Sequence, residues 1–354
     1  MMTLRQFRRA TESIPTSTAW YLSDLAEARG KQSLFTKQSP QKLKVLREHA
    51  IIESAVASNR MEGVEVDQSR VGTIIFGKRA LRDRNEEEVR GYRDALKIIH
   101  EKGAALPVSE KTIRELHQLT RGVIWDAGVY KEKDSDIIET YPDGRSRVRF
   151  KTVTAAKTPA AMSELIELWD ACVRERPFPP LVALAAFNLD FLCIHPFRDG
   201  NGRTSRLLLL LQCYHLGFEV GRYVSLERLI EQNKDRYYES LEQSSRRWHD
   251  GKHDAWPYIN YLLYTLKTAY GEFERRVGQT AAPKGAKTEL VLDAVMRQTG
   301  DFRLVDIERE CPGVGREWIR TLLSQFRQNG KVACKGRGPA ARWKVLRSKG
   351  TTLK

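Results

Sequence analysis

The sequence has no apolar run long enough to cross a membrane, and its first residues, MMTLRQFRRATES, lack the apolar stretch of a secretion signal. Both absences point to a cytoplasmic protein without a membrane partner. Its five cysteines (Cys172, Cys193, Cys213, Cys311, Cys334) are odd in number, scattered and without CxxC spacing. That pattern argues against a disulfide framework or a zinc site, and for reduced thiols. No G-x-x-x-x-G-K-[ST] run occurs, so any phosphate chemistry needs a loop other than a Walker loop.

What is present is a 354-residue chain with 30% charged and 41% hydrophobic residues, the balance of a soluble globular protein with room for two or three domains. Its net charge of +15 is uneven: residues 279–354 hold 16 Lys and Arg against 7 Asp and Glu. More than half of the excess thus sits at the C-terminal end, where nucleic acid is a candidate partner.

The densest chemistry lies in His195-Pro196-Phe197-Arg198-Asp199-Gly200-Asn201-Gly202-Arg203-Thr204-Ser205-Arg206. Pro196 disfavours helical geometry at His195, so a buried helix over Leu181–Cys193 is predicted to stop there and another to restart in Gly202–Leu211. Gly200 and Gly202 allow a tight turn and a close approach of backbone to ligand. The start of the second helix offers N–H groups and a positive dipole end to an anion. Arg203 and Arg206, three apart, share one helix face and present forked donors suited to phosphate. Asn201 adds an amide, Asp199 is placed to hold a divalent cation, and His195 is the group able to take a proton near neutral pH. Together they describe transfer of a phosphoryl or nucleotidyl group to a hydroxyl.

This string resembles the Fic family signature H-P-F-x-[DE]-G-N-G-R-x-x-R at every specified position. The resemblance implies a mainly α fold, a Fic helical bundle with a short β-hairpin flap, and transfer of AMP from Mg·ATP to a Ser, Thr or Tyr hydroxyl of a protein, the chain itself included. It implies His195 as base, Asp199 as the Mg²⁺ ligand, and Gly200, Asn201, Gly202, Arg203 and Arg206 as the phosphate site. Family members also move UMP, phosphocholine or phosphate, and some remove AMP, so other donors and de-AMPylation stay open.

Upstream, Ser58-Asn59-Arg60-Met61-Glu62-Gly63 ends a helix predicted over 40–61. Ser58 and Glu62 share a face, Gly63 suits the helix stop, and a glutamate there opposes the dipole. Taken alone, this is an ordinary capped helix end. Beside the signature it resembles the inhibitory motif [ST]-x-x-x-E-[GN], which implies that Glu62 pairs with Arg206 and holds the enzyme back.

Ile137-Ile138 and Val148-Arg149-Phe150 flank Tyr141-Pro142-Asp143-Gly144, which reads as a hairpin: a flap that binds a target segment, or a plain surface turn. Arg145, Arg147, Arg149 and Lys151 alternate along it and are expected to be solvated. Tyr237 and Tyr238 lie on a later helix, where they either line the nucleotide base pocket or pack in the core. Beyond a linker at 281–287, helices over 288–298, 304–311 and 316–329 and strands at 330–334 and 341–345 resemble a winged helix-turn-helix domain. Arg316, Arg320, Arg327, Lys335 and Arg337 would then contact phosphates, and Gln325 or Gln328 bases; protein contacts or dimerisation are the other use. A homodimer is a candidate assembly, and a DNA-binding regulator that senses nucleotide is the rival function. The expected division is 1–105 (N-terminal helical region with the inhibitory motif at 58–63), 106–280 (catalytic core), 281–287 (linker) and 288–354 (winged helix).

Overall fold

The computed structural model describes residues 2–9, 13–36, 40–77, 80–122, 124–140, 143–278, 286–298, 300–311, 314–336, 338 and 341–346. Tyr141, Pro142, the linker residues 281–285 and Arg337 lie outside the described residues. In chain order the elements are α1 (Thr3–Arg9), α2 (Thr16–Thr36), α3 (Pro40–Met61), α4 (Val71–Phe76), α5 (Arg84–Lys102), α6 (Glu110–Arg121), β1 (Ile137–Thr140), β2 (Ser146–Phe150), α7 (Thr158–Glu175) and α8 (Pro180–Ile194). There follow α9 (Asn201–His215), α10 (Leu226–Gln232), α11 (Lys234–Ser245), α12 (Trp256–Gly278), α13 (Ala286–Arg297), α14 (Leu304–Glu310), α15 (Arg316–Gln328), β3 (Val332–Lys335) and β4 (Arg342–Val345).

The chain divides into two compact units. The first holds residues 1–65 and 81–279 and is a helical bundle built around α8. Every residue of α8 from Leu181 to Ile194 is buried, as a helix apolar all round must be. Two polar residues on it are satisfied internally. Asp190 accepts from the Thr3 and Leu4 backbone N–H groups, the Thr3 hydroxyl and the Trp248 indole, so it caps α1. Asn188 donates to the Ser205 carbonyl and accepts from Tyr258. Around α8 pack α1, α7, α9, α11 and α12. Strands β1 and β2 form an antiparallel hairpin in which Ile138 faces Val148, with a register shift between Ile137 and Ile138.

The second unit holds residues 66–80 and 280–354. In α15, Ile319, Leu322, Leu323 and Phe326 are buried, while Arg316, Arg320, Ser324 and Arg327 are exposed. Strands β3 and β4 pair antiparallel, and Phe302, between α13 and α14, pairs with Trp343 through two backbone hydrogen bonds. Residues 66–80 are continuous in sequence with the N-terminal region and are expected to belong to it. In the structure they belong to this unit: Gln68 donates to the Glu308 carbonyl, and Val71, Ile74 and Ile75 are buried at helical spacing.

Buried histidines make the fold acid-sensitive. Burial pushes His117 and His253 down to about 4 and His100 to about 3, from an ordinary value of 6.5. The unfolded chain therefore binds more protons than the folded one as pH falls from 6.5 towards 4, and stability is lost across that window. Asp190, pushed up to about 6 by burial, acts in the opposite direction but is one group against these three histidines and His195, also lowered to about 4. The melting temperature is expected to be lower at pH 4.5 than at pH 7, read by calorimetry or circular dichroism; an unchanged value would contradict this balance.

Candidate active site

His195 follows directly on α8. It adopts a left-handed backbone (φ 54°, ψ 62°), unusual for a residue with a Cβ, and its N–H caps α8 by donating to the Phe191 carbonyl. Nδ1 lies 3.3 Å from the Leu192 carbonyl. A carbonyl only accepts, so Nδ1 carries the proton and Nε2 keeps its lone pair. Burial, and next the charge of Lys131, lower this histidine to about 4. It is therefore neutral, and competent as a base, throughout the neutral range.

The turn after it is fixed from inside and from α6. The Asn201 side chain accepts from the Phe197 N–H (2.9 Å) and donates to the Phe197 carbonyl (2.8 Å), closing the loop. Gly200 has φ +78°, and a Cβ there would press on the Arg121 side chain at 3.1 Å and the His117 ring at 3.3 Å. His117 and Arg121, four apart on α6, hold the Asp199–Gly200 segment between them. The His117 ring stacks on Phe197 at 3.7 Å and its Nε2–H donates to the Asp199 carbonyl, the tautomer being set by the Gly128 N–H on Nδ1. Arg121 donates to the Asp199 carboxylate at 2.6 Å. Burial works against the ionised Asp199, but Arg121, the Gly200 N–H and Arg203 outweigh it, so its pKa falls.

The two signature arginines go to different partners. Arg203 is buried and donates to Glu88 (2.5 Å) and Asn59 (3.1 Å), and Glu88 also pairs with Arg121 at 3.5 Å. Arg203 therefore braces α9 against α5 and α3, and it is not among the residues lining the cavity beside His195. Asn201 likewise spends its amide on the loop itself. Arg206 is also buried: its Nε donates to the Ser58 hydroxyl (2.8 Å), and Nη2 donates to the Ser58 carbonyl (3.0 Å) and to Glu62 (2.7 Å). Gly63 (φ +77°) ends the turn that carries Glu62. A Cβ on Gly202 would overlap the Glu62 carboxylate, so that carboxylate sits directly over the start of α9.

Glu62, His195, Gly202 and Arg206 line a cavity of about 200 Å³ together with Tyr237, Tyr238 and the flap residues Ile137, Arg149 and Phe150. That is below the roughly 300–1,000 Å³ of ordinary ligand pockets, with Glu62 occupying part of the space. Tyr238 faces this cavity. Tyr237 does too, and it also packs on Tyr258 and Tyr261. Arg145, Arg147 and Lys151 are exposed, as expected, but solvation does not account for Arg149. Arg149 donates to the Tyr238 carbonyl, lies over the Tyr238 ring and pairs with Glu242, which Arg147 also contacts.

Glu88, His117, Arg121 and Lys131 carry no signal in the sequence, because a buried partner from another element shows no local spacing. Among the described residues no group of three or more His, Cys, Asp or Glu forms a metal cage. A single half-exposed carboxylate, Asp199, does suit Mg²⁺, which completes its shell with phosphate oxygens and water.

Residues 107–213 match the Fic/DOC family model, so the chain carries a Fic domain. The chain is 28% identical, over 133 residues (37% of this chain and 81% of the relative), to a Fido domain-containing protein of Dictyostelium discoideum. Its fold is similar to the crystal structure of a Fic family protein from Desulfovibrio desulfuricans G20 (TM-score 0.61, 22% identity, 96% of this chain and 98% of that one). It is also similar to Fic-1 from C. elegans (TM-score 0.57, 18% identity, 75% and 74%). Fic domain proteins generally transfer a nucleoside monophosphate to proteins.

Asn201→Ala leaves the buried Phe197 N–H and carbonyl without partners. It is expected to cost about 1–3 kcal/mol in denaturant unfolding; a loss below about 0.5 kcal/mol would remove Asn201 from its place as the loop's internal brace.

Proposed function

We propose that the protein is an adenylyltransferase that moves AMP from Mg·ATP to a protein hydroxyl and is held back by its own Glu62. The observation that carries this is the pairing of Glu62 with Arg206 beside a histidine whose Nε2 is bare. The target hydroxyl oxygen attacks the α-phosphorus, its proton passes to His195 Nε2, the bond from the α-phosphorus to the bridging oxygen breaks, and pyrophosphate leaves. Backbone N–H groups at the start of α9 face the transferred phosphate, where preorganised donors act most strongly. Arg206, once released by Glu62, takes the terminal phosphate. Arg203, tied to Glu88 and Asn59, acts by adding positive charge and by fixing α9. Asp199 is the residue that would hold Mg²⁺, which neutralises phosphate charge when bound. Tyr238 and the face of Tyr237 turned to the cavity enclose the base, and the hairpin β1–β2 offers strand edges to a target segment.

The Glu62–Arg206 pair obstructs this sequence in two ways. It takes donors that the triphosphate needs, and its carboxylate repels phosphate from the space above Gly202. A triphosphate that enters is then held out of line for attack.

A second reading rests on the other unit. Its order of three helices, a strand-like bridge at Phe302 and the hairpin β3–β4 supports a winged helix, with the exposed basic residues of α15 as a DNA-binding face. On that reading the Fic domain senses nucleotide for a regulator. DNA affinity that falls steeply with salt and changes with ATP would favour it.

With α-labelled Mg·ATP, Glu62→Gly is expected to incorporate label at least about tenfold faster than the parent chain. His195→Ala in the same background is expected to abolish incorporation while still binding ATP. A folded Glu62→Gly with no gain removes the brake, and retained turnover in the histidine variant removes the base.

A further inference from the structure

We propose that Lys131 is a positioning residue for His195, clasping the carbonyls on either side of the histidine and tying them to the end of the flap through Thr152. This rests on the reading of His195 as the base. Lys131 is buried, with 6% of its surface exposed, in the stretch between α6 and β1. Its backbone N–H donates to the Pro196 carbonyl at 2.8 Å. Its ammonium donates to the Ile194 carbonyl at 3.2 Å and to the Thr152 hydroxyl at 2.6 Å. Thr152, two residues after β2, passes the chain on by donating to the Ser135 carbonyl at 2.6 Å.

The need for such a clasp follows from the backbone. A non-glycine residue in the left-handed region costs on the order of 1–3 kcal/mol and persists only where its surroundings fix it. Fixing the Ile194 peptide before His195 and the Pro196 carbonyl after it, with the proline ring fixing its own φ, leaves the two dihedrals of His195 little freedom. The imidazole direction, and so the path from Nε2 to the cavity, is set by those dihedrals. Because Thr152 closes the same chain of bonds, the end of the flap and the base share one support.

The clasp is also electrostatic. Lys131 is itself lowered to about 8, by burial first and against the opposing pull of Asp134 and Asp136. The charged groups that act on His195 are Lys131, which lowers it, and Glu62 and Asp199, which raise it. Replacing the ammonium by a methyl group therefore raises the histidine pKa, with burial, the larger cause, still holding it below 6.5, and the acid limb of the rate follows to higher pH.

The test uses the full chain in the Glu62→Gly background with Mg·ATP as the probe. Lys131→Met is expected to lower the transfer rate roughly tenfold or more, with the affinity for Mg·ATP changed by less than about threefold in calorimetry. Its acid limb is expected to move up, and Lys131→Arg, which keeps charge and donors, to restore most of both. Thr152→Val, which keeps the shape but drops the hydroxyl, is expected to slow transfer with the same unchanged affinity, and it keeps the proposal testable if Lys131→Met does not fold. An unmoved rate and acid limb in these variants would overturn the proposal, as would an affinity loss parallel to the rate loss. If the Glu62→Gly parent itself transfers nothing, the functional reading fails instead. The clasp is then read by NMR titration of the His195 ring: a pKa raised in Lys131→Met supports it, and an unchanged one overturns it.

Discussion

The guanidinium of Arg206 is buried, and a buried cation must be paired. Here its partners are two oxygens of Ser58, on the last turn of α3, and Glu62, on the turn that follows it. Arg206 and Glu62 both line the cavity beside His195, so on the proposed reading the arginine serves either the carboxylate or an incoming phosphate. On the proposed reading, an inhibited and an active state of the site would differ in which anion this one group carries. Its pairing also explains why the cavity is small in the state described: the carboxylate fills the space over Gly202 that a phosphate would use.

Around that switch the rest of the site is braced and not waiting for ligand. Glu88 gathers Arg203 and Arg121, Arg121 holds Asp199, and His117 holds the Asp199 backbone against Phe197. All of these groups except the half-exposed Asp199 are buried, so removal of one leaves a charge or a donor uncompensated. The loop and His195 are held by these bonds, and on the proposed reading the Glu62–Arg206 pair is the contact that changes. That division suits a transferase, which needs its base and phosphate donors preset and its inhibition reversible.

Much of this was legible in the sequence because it is local. The Pro196 stop, the glycines and the spacing of Ser58 and Glu62 fix α3, α8 and the start of α9 within a residue or two, while α9 runs to His215, four residues past the expected Leu211. Gly63 and Gly200 take the positive φ that their places require. Three features were not local and were not legible. Arg203 and Arg206 share a helix face, but nothing in their spacing says that one meets Glu88 and the other Glu62. Arg149 looked solvated because its partners, Glu242 and Tyr238, lie on a helix about ninety residues away. Residues 66–80 look continuous with the N-terminal helices, and only tertiary packing places them in the second unit.

The most direct measurement of the central claim is a structure of Glu62→Gly with a non-hydrolysable ATP analogue and Mg²⁺. The account predicts that the Nη2 of Arg206 donates to the terminal phosphate in place of Glu62, with the α-phosphate facing His195 Nε2. An analogue seated with its phosphates away from Arg206, or the same pose found in the parent chain with the Glu62–Arg206 pair intact, would contradict it.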